Sequence, residues 1–100
     1  MLATHLSQFL RVTTLAALIM VSGCQSAPVQ EMSDARQAIT VAQEAGAEQH
    51  APGDLKAAID YLQSAEGFIS QRRYEMAREE AVNAKASALD ALQQSSSDQP

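Results

Sequence analysis

Cys24 carries the sharpest chemistry in the chain. It is the only cysteine, and a thiolate is a strong nucleophile suited to thioether formation. It follows an apolar run, Val12 to Val21, through two small residues, Ser22 and Gly23. With one cysteine, no disulfide can form within the chain. The remaining reactive side chains make weaker patterns. His50 sits in a turn, His50-Ala51-Pro52-Gly53, and His5 lies far from it in sequence. A single nearby histidine and no second cysteine do not make a zinc site. Glu79-Glu80 and Glu44/Glu48 read as solvated helix faces rather than as acid–base pairs. Gly46, Gly53 and Gly67 are scattered, so no glycine-rich phosphate loop is present. No serine has a neighbouring His–Asp arrangement. Arg72, Arg73 and Arg78 form the one local basic cluster, and they read as a solvated turn. Tyr61, Phe68 and Tyr74 recur at helical spacing, which suits a core or a hairpin plug. Tyr61 is the one expected at a wet surface, because its hydroxyl is content there. Tyr61, Arg72 and Arg73 are therefore the candidate partner surface, and no catalytic or metal-ligating residue is assigned.

The residues around Cys24 resemble the lipobox of a bacterial lipoprotein signal peptide. Arg11 closes a weakly positive segment, Leu15 to Met20 form the centre of the apolar segment, and Val21-Ser22-Gly23-Cys24 follows. The apolar segment is about half the ~20 residues that a membrane-spanning helix needs. The resemblance implies that residues 1–23 are a signal peptide cut between Gly23 and Cys24. Cys24 would then carry a diacylglyceryl group and an acylated amine. At about 0.8 kcal/mol per buried CH₂, two or three chains hold a protein at a membrane. Gln25, rather than Asp, follows the cysteine. By the same resemblance that implies the periplasmic face of the outer membrane. The covalent lipid is the one attached group expected, with no other cofactor.

Charge narrows the partners. The chain has seven Lys and Arg against twelve Asp and Glu, for a net charge of −5. Residues 24–100 lose only Arg11 and stand at −6. An acidic chain without a basic stripe argues against nucleic acid. It also argues against electrostatic docking on anionic lipid, which leaves the membrane anchoring to the attached lipid. The apolar content is dominated by alanine, and burial is worth only ~25 cal/mol per Å². A carrier would need a lined cavity of ~300 Å³ or more, which alanine-packed helices are poorly suited to enclose. No small-molecule substrate is expected.

The elements that would position these residues are helical, and the fold class is all-α. Residues 24–31 read as a lipidated tether with Pro28 as a breaker, and residues 95–100 as a disordered tail. Between them, over residues 32–94, three helices are expected at roughly 32–48, 52–70 and 74–94. In the first, Met32, Ala35, Ile39, Ala42 and Gly46 share one face, and Asp34 with Gln37 resembles a capping box. Pro52 suits the first position of the second helix. That helix carries two apolar stripes: Leu55, Ile59, Leu62, Ala65 and Ile69, and Tyr61, Ala65 and Phe68. Two stripes suggest two neighbours, so it is expected in the middle. In the third, Tyr74, Ala77, Ala81, Ala84, Ala88 and Ala91 form a stripe that Val82, Leu89 and Leu92 widen. Short connections imply an antiparallel up-down-up array.

Leu62, Ala65, Phe68, Tyr74, Ala77, Ala81 and Ala84 together resemble one tetratricopeptide-like repeat. There Ala65 would meet Ala77, and Tyr74 would plug the base of the hairpin. The Trp of that repeat is missing, no Pro closes the second helix, and one repeat cannot make a solenoid. From Cys24 to Leu92 the chain is similar to a family of short bacterial lipoproteins with a helical domain of unknown function. These features point to an envelope protein that acts as a non-enzymatic interaction adaptor. The alternative is a structural lipoprotein that self-associates through its helical stripes.

Overall fold

The computed structural model describes residues 26–98. Among them are four helices and no strand: α1 Val29–Glu44, α2 Ala47–His50, α3 Pro52–Ser70 and α4 Tyr74–Ser97. The fold is all-α, as the periodicity implies. The three long helices run up, down, up. Asp34 of α1 meets Lys85 of α4, and Glu31 meets Arg78, so these two helices run in the same sense. Arg36 of α1 pairs with Glu66 of α3, and Asp54 of α3 accepts a hydrogen bond from Gln94 of α4. Helix α3 is therefore antiparallel to both.

Local chemistry explains where each helix begins and ends. Pro28 is buried and immediately precedes α1, and its carbonyl accepts from the Met32 amide at 3.0 Å. The helix thus starts at Val29, one turn before the expected Met32, and takes residues 29–31 from the expected tether. The apolar period begins only at Met32, but Glu31 in the first turn suits the helix dipole. The Asp34–Gln37 capping box does not form, because Asp34 lies beyond the first turn. It instead accepts from the Gln30 side-chain amide at 2.9 Å. At the other end α1 stops at Glu44 rather than at 48. Gly46 adopts φ 88°, a left-handed conformation open to glycine, and α2 restarts the helix for one turn. Helix α3 begins with Pro52 at its first position and keeps its expected bounds. Helix α4 continues to Ser97, three residues past the expected end. Ser95 is fully buried, and its hydroxyl donates to the Ala91 carbonyl at 2.7 Å. A satisfied serine is small enough to extend the alanine stripe, so residues 95–97 belong to the helix and not to a tail.

The core is an alanine seam. One cluster joins Ala38, Ile39, Ala42, Ala47, Ala51, Leu55, Ala58, Ala88 and Ala91. A second joins Met32, Ala65 and Ala81, and half-buried Leu62 packs against both. Ala77 and Ala65 are both fully buried, although Ala65 clusters with Ala81, about one turn beyond Ala77. The middle position belongs to α4 and not, as the two stripes of α3 suggest, to α3: α4 packs extensively on both α1 and α3. Its seam, Ala77, Ala81, Ala84, Ala88, Ala91 and Ser95, is completely buried. Small side chains let neighbouring backbones close on it from both sides. The second stripe of α3 fails because Tyr61 points outward and Phe68 is only half-buried.

Candidate functional site

The residues singled out from sequence divide into three places. Gly23 and Cys24 lie outside the described residues. Arg72 and Arg73 form the turn between α3 and α4. Tyr61 is exposed on α3, nine residues before Ser70 and so about 14 Å along the axis from the turn. The fold thus keeps the two arginines together, and sets Tyr61 apart as a separate surface.

The α3–α4 turn has a defined geometry. Gln71 caps α3, Arg72 takes φ 59°, and Arg73 precedes the first residue of α4. The Arg72 amide donates to the Ile69 carbonyl and the Arg73 amide to the Phe68 carbonyl, both at 2.9 Å. These two bonds are the Schellman pattern that closes a helix C-terminus. Glycine normally holds the left-handed position, since a Cβ there is disfavoured. Here it is occupied by an exposed arginine. The following residue of such a motif often makes an apolar contact back onto the helix. In this turn that contact is a cation–π pair, with the Arg73 guanidinium 5.4 Å from the Phe68 ring centre.

Ion pairing sets these two arginines apart from the other cations. Arg36 pairs with Glu66 at 3.3 Å, Lys56 with Asp60 at 2.7 Å and Lys85 with Asp34 at 3.7 Å. Arg78 pairs with Glu31 and reaches Glu75 at 3.9 Å. Among the described residues, Arg72 and Arg73 are the cations without a carboxylate partner. His50 lies at the opposite end, with Nδ1 3.8 Å from a carboxylate oxygen of Asp98.

The sequence reading missed an outward apolar face. Val82 and Leu89 were expected to widen the buried stripe of α4, but they are 52% and 46% exposed. At 100° per residue they sit about 130° around the helix from the alanine seam, which leaves them facing out. Their seven-residue spacing was the available signal. Only Leu92, closer to the seam, is half-buried. Shallow depressions mark the surface of the described residues. One, of about 340 Å³, is lined from α4 by Met76, Arg78, Glu79 and Val82 among others. Another, of about 380 Å³, is lined from α1 by Arg36, Gln37, Thr40, Val41 and Glu44. Each is built from a single helix, so neither is an interior site. Among the described residues no group of three or more His, Cys, Asp or Glu could hold a metal ion, and no helix is long and apolar enough to cross a membrane.

Comparison with known proteins gives one finding. No curated protein and no solved structure matches the chain. A family model matches residues 30–99, which span all but the first residue of α1 and the whole of α2, α3 and α4. The chain belongs to the family described as Domain of unknown function (DUF4398).

Proposed function

We propose that the protein is a lipid-anchored, non-enzymatic interaction module of the bacterial envelope, held at the periplasmic face of the outer membrane. The position of Cys24 carries this reading. A lone nucleophilic thiol ends an apolar segment after Ser22-Gly23, and α1 begins only five residues later, at Val29. Such a tether spans at most about 17 Å, so the helical domain would sit close to the bilayer. The alanine seam supports the adaptor role, because packed alanines leave recognition to the surface. Met76, Val82 and Leu89 are outward apolar residues on the central helix, and Tyr61 lies on α3. Their rim of charged residues suits a protein partner better than a small ligand.

Val82 and Leu89 favour a second reading, association with another copy of the chain. A seven-residue apolar spacing is the spacing of helix–helix seams. Photo-crosslinking in living cells from position 82 and position 61 separates the two. A discrete adduct with a different protein supports the adaptor, and an adduct of twice the chain mass supports self-association. No adduct above background at either position, in growing or stressed cells, removes both. The anchor has its own test. Cys24→Ser is expected to abolish acylation and move the protein from the membrane fraction to the soluble fraction. Unchanged membrane retention with no acyl mass would reject the lipid anchor.

A further inference from the structure

The helical domain is electrically polar along its long axis. Residues 70–74, Ser-Gln-Arg-Arg-Tyr, form one tip and carry two cations, with Glu75 next in the chain and Glu31 of α1 beside them, so this end is near charge balance. At the far end, residues 44–54 and 90–98 carry Glu44, Glu48, Asp54, Asp90 and Asp98 with no Lys or Arg. The up-down-up topology gathers those two segments together, as the Asp54–Gln94 hydrogen bond and the His50–Asp98 contact show. Ion pairing sharpens the polarity. Four of the six cations among the described residues are matched to carboxylates, and the two that are not are Arg72 and Arg73.

The same topology fixes which pole lies near Cys24. The start of α1 sits beside the start of α4 and the end of α3. Glu31 pairs with Arg78, and Met32 clusters with Ala65 and Ala81. The chain from Cys24 therefore enters the bundle at the arginine tip, and the acidic pole lies at the opposite end. We infer that Arg72 and Arg73 contact anionic lipid headgroups and orient the anchored domain, tip toward the bilayer and acidic end away from it. This rests on the lipid anchor proposed above.

Three physical points bear on the inference. Arginine matches phosphate oxygens with paired N–H donors and is weakly hydrated. Residues 24–100, with net charge −6, gain little from two cations when free in solution. A tether of about 17 Å changes that, because it holds the tip at a high effective concentration. It also holds the tip within roughly two Debye lengths of the surface at physiological salt. Finally, Arg72 occupies a backbone conformation that glycine would take without strain. The exposed arginine there answers no packing demand of the fold, so its charge is available to an outside surface.

The test uses the full-length acylated protein, with the acyl mass on Cys24 verified. It is reconstituted in vesicles of phosphatidylcholine alone or with added phosphatidylglycerol. A fluorophore is placed by Ser70→Cys at the tip or by Gln49→Cys at the far end, both exposed positions. Quenching by a headgroup-labelled lipid then reads proximity to the surface. The tip label should be quenched several-fold more than the far-end label on phosphatidylglycerol vesicles. High salt or phosphatidylcholine alone should reduce that ratio. Each arginine near an anionic surface is worth about a fivefold shift in population, so Arg72→Gly with Arg73→Gln should bring the ratio down to the value seen on phosphatidylcholine alone. A ratio that is the same in wild type and double variant, or on both vesicles, overturns the orientation while leaving the anchor intact. Absence of acyl mass on Cys24 overturns the anchor, and the orientation falls with it. Far-UV circular dichroism and melting of the double variant show whether it is folded. If it is not, Arg72→Gln alone, which removes the charge and keeps a polar side chain, supplies the comparison.

Discussion

The two ends of the bundle each close a long helix with one left-handed residue, completing a Schellman turn at one end and leading into the short helix α2 at the other, and fill that position with opposite residue types. At the acidic end Gly46 takes φ 88°, and at the other end Arg72 takes φ 59°. In both, the left-handed residue donates its amide to a carbonyl three residues back, Gln43 in one turn and Ile69 in the other. The surroundings differ. A Cβ on Gly46 would stand 3.3 Å from Cδ2 of His50, and the neighbouring Ala47 is fully buried. The backbone conformation favours glycine there, and a Cβ would also ask the His50 ring to give by a few tenths of an ångström. The Arg72 turn is exposed and asks only for φ > 0, so its residue type is free to answer to something other than packing. One end is built for closure, and the other accepts strain to display a charge.

Gly46→Val should break the acidic end most severely. It forces a β-branched residue into the left-handed region and pushes a side chain toward His50. The expected loss is about 2 kcal/mol of unfolding free energy, read as a lower urea midpoint with unchanged slope. A loss below about 0.5 kcal/mol would mean that the turn relaxes, and the contrast between the two ends would weaken.

Much of this architecture was legible, and the failures have physical causes. Helix α3 kept its expected start because Pro52 is a strong local signal. It kept its expected end because the apolar stripe stops at Ile69, not because of Gln and Arg, which are themselves good helix formers. The start of α1 was missed by one turn since Val29-Gln30-Glu31 has no apolar period, although a proline just before a helix is a start signal. The end of α4 was missed because Ser95 is polar by type, yet its hydroxyl is satisfied inside its own helix. The central position of α4 was hidden for a related reason. Counting apolar stripes favours α3, whereas close approach favours the helix with the smallest side chains. The arginine pair was visible as a turn, but nothing in its residue types announces φ > 0. Its lack of carboxylate partners emerges only when α1 and α4 are placed side by side.

Arg72→Gly tests the strained end directly and in the opposite direction. Relief of the left-handed strain should outweigh the extra chain entropy of glycine. The expected gain is about 0.5–1 kcal/mol, seen as a higher melting temperature. No gain would mean that the arginine side chain supports the turn, and its presence would need no external use. A gain combined with lost orientation on anionic vesicles would separate stability from function at a single residue.

Arg73 completes the contrast, because it does have a structural contact. Its guanidinium lies over Phe68, where an apolar residue often covers the end of a Schellman turn. An exposed cation–π contact is worth about 0.5–1 kcal/mol, so Arg73→Ala should cost about 0.5 kcal/mol. Arg73→Leu should cost less, since a leucine can still cover the Phe68 ring. If the two variants are equally destabilised, the charge rather than the cover holds the turn. If Leu restores stability but not the preference for anionic vesicles, the cover over Phe68 and the headgroup contact are separable properties of one side chain. Arg72 would then act on the surface alone, while Arg73 would serve the fold and the surface together.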